Sequence, residues 1–170
     1  MRTSAIPLEG KLTIVRPATP ADLDLLVEWH ADPGVAEFWD GKTFAREEML
    51  ARLARPNVDA YVIEAAGEPV GYLQAWFGEA PDECGIDMFL VPSARGRGLG
   101  PDSARALAQH LVRETGRTRV TVDPYLWNVR AVRAWRKAGF RPIEERDPDH
   151  EHPHAWLLMM FDPGASGRDW

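Results

Sequence analysis

Cysteine is almost absent from this chain: Cys84 stands alone among 170 residues. That excludes an internal disulfide and leaves the cytoplasm as the default compartment. No apolar run approaches the ~20 residues that a membrane-spanning helix needs, so no membrane association is expected. No apolar core segment precedes Lys11, so the first ten residues do not read as a secretory leader. Internal repeats and low-complexity stretches are missing. So is Gly-Lys-Ser/Thr, which excludes a P-loop. The length suits one domain with a real core and leaves little room for a second.

Positive charge is scarce overall but concentrated. The net charge is −6, yet residues 1–94 carry −9, residues 95–141 carry +8 and residues 142–170 carry −5. Such a division suits a fold that holds a polyanion in one part and a cation in another. An acidic protein repels phosphate backbones except at local patches, so nucleic acid is not an expected partner.

Apolar periodicity and turn signals order the rest. Leu12 to Arg16 alternates as a strand. Thr19-Pro20-Ala21-Asp22 opens a helix reaching about Trp29, which Asp32-Pro33-Gly34 breaks. A second helix follows Thr43 and ends near Ala54. Ala60–Ala65 and Pro69–Phe77 form a hairpin about Gly67-Glu68, and Ile86–Val91 is a further strand. A helix covers 101–115, a strand runs from Arg119 to Pro124, a helix follows Asn128, and two strands lie near 140–146 and 155–161.

The stretch Val91-Pro92-Ser93-Ala94-Arg95-Gly96-Arg97-Gly98-Leu99-Gly100 lies between a strand and a helix start. Backbone N–H groups and the positive end of the helix dipole favour a phosphate there, and the glycines let it approach. Arginines add charge-assisted hydrogen bonds. The same residues also suit a plain tight turn with solvated arginines.

Arg95-x-x-Gly98-x-Gly100 resembles the pyrophosphate-binding loop of the GCN5-related N-acetyltransferases (GNAT). Asn128-x-x-Ala131, with Gly139-Phe140 closing its helix, resembles that superfamily's later motif, and the likeness spans 11–162. It implies one domain over those residues, with tails at 1–10 and 163–170. It also implies an α/β fold: a splayed, mixed and mostly antiparallel sheet of about seven strands flanked by four helices. Acetyl-CoA is the implied cofactor. The implied contacts are the backbone of Met88, Phe89, Leu90 and Val91, then Arg95, Gly96, Arg97, Gly98, Leu99, Gly100, Asp102 and Ser103. On the later helix they are Asn128, Ala131, Trp135 and Lys137.

Acetyl transfer to an amine needs an acceptor for the ammonium proton. Asp87, in Gly85-Ile86-Asp87-Met88, and Asp123, closing Val120-Thr121-Val122-Asp123-Pro124, would share one cleft if their strands are splayed neighbours. Alternatively, Asp-Pro merely opens a turn and Asp87 is an edge carboxylate. An ammonium of pKa ~10.4 and an aspartate of ~3.9 are separated by roughly 9 kcal/mol. A turnover near ~10 per second allows a barrier of roughly 16 kcal/mol, so the gap is over half of it. A second carboxylate raises the first one's pKa and narrows that gap.

Asp87, Asp123, Glu28-Trp29, Glu37-Phe38-Trp39, Gly67-Glu68-Pro69-Val70-Gly71-Tyr72-Leu73-Gln74 and Lys137-Ala138-Gly139-Phe140 narrow the likeness. Together they resemble the aminoglycoside 6'-N-acetyltransferases. That resemblance implies a polycationic aminosugar acceptor, direct transfer in a ternary complex, and antibiotic resistance. Asp87 is the implied base and Asp123 a substrate-binding carboxylate, with Trp39 and Gln74 lining the cleft. Trp76, like Trp39, is a candidate for stacking on a sugar. The family's proposed acid, a Tyr, is replaced by Trp135, whose indole does not protonate a thiolate. Tyr125 is another candidate for that step. Two alternatives stay open: acetylation of a lysine-like siderophore precursor or another small amine, and a regulatory module that binds acyl-CoA without turnover. His150-x-His152-x-His154, between Pro148 and Pro153, reads as a loop, and no metal is expected. A monomer or a homodimer fits equally.

Overall fold

The computed structural model describes residues 6–165. Residues 1–5 and 166–170, assigned above to the two tails, lie outside the described residues. The strands are β1 (Leu8–Glu9), β2 (Ile14–Pro17), β3 (Val58–Ala65), β4 (Glu68–Phe77), β5 (Glu83–Leu90), β6 (Arg119–Val122), β7 (Phe140–Arg146) and β8 (Trp156–Phe161). The α-helices are α1 (Leu23–Ala31), α2 (Pro33–Ala36), α3 (Arg46–Leu53), α4 (Leu99–Thr115) and α5 (Val129–Ala138). The eight strands form one sheet in the order β1-β2-β3-β4-β5-β6-β8-β7. Every neighbouring pair is antiparallel except β5 and β6.

Two elements exceed the seven strands and four helices expected. Leu8 and Glu9 lie within the expected N-terminal tail, yet they pair with Val15 and Ile14. A two-residue strand carries too little pattern to be seen in a sequence. Asp32-Pro33-Gly34 ends α1 as expected and immediately begins α2. The Asp32 carboxylate accepts the Gly34 N–H at 2.7 Å and Pro33 takes the first turn, a capped start rather than a loop. Ala165, inside the expected C-terminal tail, is buried.

Strand alternation divides the buried residues between two sides of the sheet. Leu73, Ala75 and Ile86 meet Leu107, Ala108 and Leu111 of α4 and Trp135 and Ala138 of α5. Val62, Tyr72 and Phe89 meet Leu23, Leu26 and Trp29 of α1, Val35 of α2 and Met49 of α3. The buried positions of α4, namely 99, 100, 103, 104, 107, 108 and 111, recur at the three- and four-residue spacing of one helix face. Asn128 caps α5 by accepting the Ala131 N–H at 3.2 Å, and Gly139 closes it with φ +105°. A Cβ at Gly139 would lie 2.7 Å from Arg105 Nη1, whose guanidinium donates to the Ala138 carbonyl at 3.2 Å.

The α1–α3 side holds one conspicuous polar residue. His30 is 1% exposed, and neither ring nitrogen has a hydrogen-bond partner. The edges of Trp39, Phe44, Tyr72 and Phe89 surround it, at 4.9 to 5.8 Å between centroids. Burial, and then the Arg52 charge, push its pKa down to about 4. The unfolded imidazole accepts a proton at about 6.5, so stability from this residue is full above pH 6.5 and drains away as pH falls towards 4. His30→Phe should stabilise the fold at pH 7 by about 1–3 kcal/mol, because it removes an unsatisfied buried polar group. At pH 5 the gain should be about 2 kcal/mol larger. Urea unfolding of both proteins at the two pH values measures this; a gain that does not grow on acidification would contradict it.

Candidate active site at the splay between β5 and β6

β5 and β6 run side by side only briefly. Glu83, Cys84 and Gly85 pair with Arg119, Val120 and Thr121, and beyond that level the strands part. Val122 turns to β8 instead, pairing with Met159. The edge of β5 from Asp87 onward therefore has no strand beside it on the β6 side, and the Leu90 carbonyl there accepts the Arg95 Nε–H instead. Asp87 lies just past the parting on β5, and Asp123 directly follows the end of β6. The two carboxylates are close enough to interact. Asp87 is pushed up to about 6, first by desolvation and then by the Asp123 charge. Gln74, Arg52 and His152 pull in the opposite direction. A carboxyl poised near neutrality is matched to accepting a proton at physiological pH.

The register of β4 against β5 builds one wall of the site. Tyr72 faces Phe89, Gln74 faces Asp87 and Trp76 faces Gly85. Gln74 Nε2 donates to Asp87 Oδ2 at 2.8 Å, and Gln74 Oε1 accepts the Tyr72 hydroxyl at 2.9 Å. Both ends of this buried amide are engaged, so Gln74 orients Asp87. Trp76 lies over Gly85, where an added Cβ would come within 2.2 Å of its indole. Trp39 stands edge-on to Tyr72 and Phe89, at 6.2 and 5.6 Å between centroids. The connection after α2 is joined to the loop after β6: the Tyr125 hydroxyl donates to Asp40 Oδ1 at 2.7 Å, and Phe38 stacks on Trp127 at 5.9 Å.

The glycine-rich turn is at the same end of β5. Gly96 and Gly98 have φ of +78° and +77°, and a Cβ on Gly96 would meet nothing within 4 Å. Their use here is backbone conformation and open approach. Gly98 is the N-cap of the 17-residue α4 and offers no side-chain cap, so the first N–H groups of that helix are free to bind an anion. Arg97 is exposed. Arg95 is tied back: its Nε donates to the Leu90 carbonyl at 3.1 Å and its Nη2 to the Gly34 carbonyl at 2.6 Å. The Asp102 carboxylate is likewise engaged, accepting the N–H groups of Lys11, Leu12 and Thr13 and the Thr13 hydroxyl at 2.7 to 2.9 Å. The buried Ser103 hydroxyl donates to the Gly100 carbonyl at 3.0 Å. The side chains of Asp102 and Ser103 thus secure the turn, and the anion-facing groups are mainly backbone.

The family model described as "Acetyltransferase (GNAT) domain" matches residues 18–148, which contain the splay, both aspartates and the turn. This chain belongs to the GNAT acetyltransferases. Aminoglycoside N(6')-acetyltransferase type 1 of Klebsiella pneumoniae is 34% identical to it over 145 residues, 74% of this chain and 72% of that one. Among solved structures, AAC(6')-Ib in complex with paromomycin and acetyl-CoA aligns with TM-score 0.76 and 28% identity, over 89% of this chain and 93% of that one. Aminoglycoside acetyltransferase AAC(6')-Ib with coenzyme A and kanamycin aligns with TM-score 0.73 and 28% identity, over 87% and 94%.

As a GNAT enzyme the protein needs a proton for a departing thiolate, and two residues considered for that step are placed clearly. Trp135 is buried against Phe140, at 5.2 Å between ring centroids. The Tyr125 proton is directed at Asp40, and burial followed by that hydrogen bond moves its pKa above the usual phenol range. Cys84 is fully buried and its thiol is pushed up to about 11 by desolvation, so it stays protonated and inert. No helix among the described residues is long and apolar enough to cross a membrane, and no group of three or more His, Cys, Asp or Glu among them could hold a metal ion. One partner escaped sequence reasoning: His152 lies on Asp123, with Nε2 2.7 Å from Oδ2. The His-x-His-x-His spacing drew attention to the right loop, but nothing in it names Asp123.

Proposed function

We propose that this protein transfers the acetyl group of acetyl-CoA to a primary amine of an aminoglycoside, the 6'-amino group, directly within a ternary complex, and so confers resistance. The observation that carries the reading is Asp87, shifted towards neutrality, beside Asp123 where β5 and β6 part. The kinship with aminoglycoside 6'-N-acetyltransferases supports the choice of acceptor.

Acetyl-CoA supplies the activated acetyl thioester. The free N–H groups of the turn and of the start of α4, with Arg97, suit its pyrophosphate. The β5 edge that β6 leaves at Met88 to Leu90 suits the pantetheine amides, while the Val91 N–H and carbonyl are spent on Val70 and Ala94; on α5 the candidate contacts are Asn128, Ala131, Trp135 and Lys137. Asp87 accepts the proton of the acceptor ammonium, and Gln74 fixes its orientation. Asp123 binds that ammonium or a neighbouring one. Trp39 and Trp76 border the same wall.

A CoA-release assay across kanamycin-type aminoglycosides, lysine derivatives and peptide N-termini tests the reading, and turnover is expected with the aminoglycosides. Several partly exposed ammonium–carboxylate pairs should make the Michaelis constant rise with salt. Asp123→Asn should raise that constant and flatten its salt dependence. Fast acetylation of a peptide or lysine derivative, with no aminoglycoside turned over, would refute the acceptor. Acetyl-CoA binding without CoA release to any amine would refute the enzyme.

A further inference from the structure

The loop between β7 and β8 is folded back on the site by a single aspartate. Asp149 Oδ1 accepts the N–H groups of Glu151 and His152 at 2.9 and 2.8 Å, and the Asp149 N–H donates to the His152 carbonyl at 2.9 Å. The same Oδ1 lies 2.9 Å from His152 Nδ1. The other ring nitrogen, Nε2, lies 2.7 Å from Asp123 Oδ2. The imidazole is stacked on Trp156 at 4.2 Å and 19°, with only 14% of its side chain exposed. It is thus held in plane by a ring and at both nitrogens by carboxylate oxygens.

That arrangement constrains protonation. A neutral imidazole has one N–H and one lone pair, and the lone pair would face a carboxylate oxygen. An imidazolium donates from both nitrogens and satisfies both partners. The surrounding charges agree. Asp123 and Asp149 flank the ring, Tyr125 stands edge-on at 6.4 Å, and the Arg146 guanidinium lies 5.1 Å from the Trp156 ring on which His152 stacks. Burial lowers the affinity of His152 for a proton, the two carboxylates raise it, and the net shift is upward. Asp149 is correspondingly pushed down to about 2, first by its hydrogen bond with His152.

We propose that His152 is a positioning residue of the acetyl transfer: as an imidazolium anchored by Asp149, it fixes the Asp123 carboxylate at the edge of the cleft and moderates the negative charge that Asp87 experiences. This rests on the acetyltransferase reading above and adds to it a residue and a loop. Oδ2 of Asp123 is taken by His152, which leaves Oδ1 for an acceptor ammonium. Asp87 faces Asp123, Gln74, Arg52 and His152, so removing the imidazolium leaves the Asp123 charge on Asp87 less compensated.

His152→Gln keeps a hydrogen-bond donor of similar reach and removes the charge. The acid limb of kcat/KM for the acceptor should move up by roughly half a pH unit. At pH 8, where Asp87 is ionised in both proteins, the acceptor KM should rise several-fold with kcat within about twofold, the pattern of lost ground-state positioning. Acetyl-CoA affinity should barely change. Histidine NMR supplies a readout independent of turnover. Of the five histidines, the resonance that disappears in His152→Gln should titrate above the ordinary value and move down in Asp149→Asn. An acid limb and KM that stay in place, or a His152 resonance titrating at or below the ordinary value, would overturn the proposal. If no amine is acetylated at all, the function reading falls, while the imidazole titration still decides whether His152 is held as an imidazolium.

Discussion

Asp87→Asn should lower turnover with an aminoglycoside by about 10²–10⁴-fold, the range a positioned general base contributes. Asparagine keeps the shape of the side chain, and its amide oxygen can still accept the Gln74 Nε2 hydrogen that Asp87 accepts at 2.8 Å. What it loses is the capacity to take a proton. Asp87 titrates at about 6 because desolvation and the Asp123 charge both oppose its ionisation. The parent's rate should therefore climb with pH through about 6, and the variant's residual rate should show no such limb. The sign for stability runs the other way. An acid whose native pKa lies above its unfolded value costs folding free energy once it ionises, so the variant should melt no lower than the parent at pH 8. Steady-state rates from pH 5 to 9 beside a melting curve separate the two effects. A variant that retains over a tenth of the parent's turnover would remove Asp87 from the role of base.

Gly98→Asp should weaken acetyl-CoA binding by at least about a hundredfold. Gly98 sits at φ +77° as the N-cap of α4, and the nearest atom to an added Cβ is Leu12 Cδ1 at 3.7 Å. A side chain therefore fits in space, and aspartate tolerates the left-handed region better than most residues. The loss should come from charge. A carboxylate about 4 Å from a phosphate oxygen at a partly exposed site is worth about 4 kcal/mol of repulsion. Gly98→Ala is the control: it carries the backbone strain of about 1–2 kcal/mol without the charge. Calorimetric titration with acetyl-CoA should rank the parent above the alanine variant and the alanine variant well above the aspartate one. Equal affinities for Gly98→Asp and Gly98→Ala would mean that no phosphate approaches this turn.

The parts of the site legible in the sequence are those written locally. A strand, a glycine-rich turn and a helix succeed one another within residues 83–115, and that order is what raises the expectation of an anion site at the start of α4. The splay is implied by the family resemblance, and with it Asp87 on β5 and Asp123 just after β6 can be expected to share a cleft. Contacts made across the chain were not legible. Asp102 is expected among the cofactor contacts, yet its carboxylate grips the N–H groups of Lys11, Leu12 and Thr13, some ninety residues away in sequence. Gln74 meets Asp87 through strand register, which only the paired sheet supplies. His152 meets Asp123 because a loop between Pro148 and Pro153 folds back, a long-range closure that no periodicity encodes.

The alternation of β5 decides where this enzyme can change and where it cannot. Gly85, Asp87 and Phe89 share one face of β5, on which Phe89 packs in the α1–α3 core, while Ile86 belongs to the core shared with α4, and Met88 packs against that core. One inserted or deleted residue within the strand would exchange the two sets, turning the Asp87 carboxylate into the α4 core and bringing Met88 to the face that Asp87 holds. Length variation is therefore closed to β5 and to β4 beside it. The stretches 37–43, 123–128 and 147–155 lie outside the paired strands, and they hold Trp39, Asp40, Asp123, Tyr125 and His152. Change in length and sequence is open to those three loops, while the strand that holds Asp87 stays fixed in length.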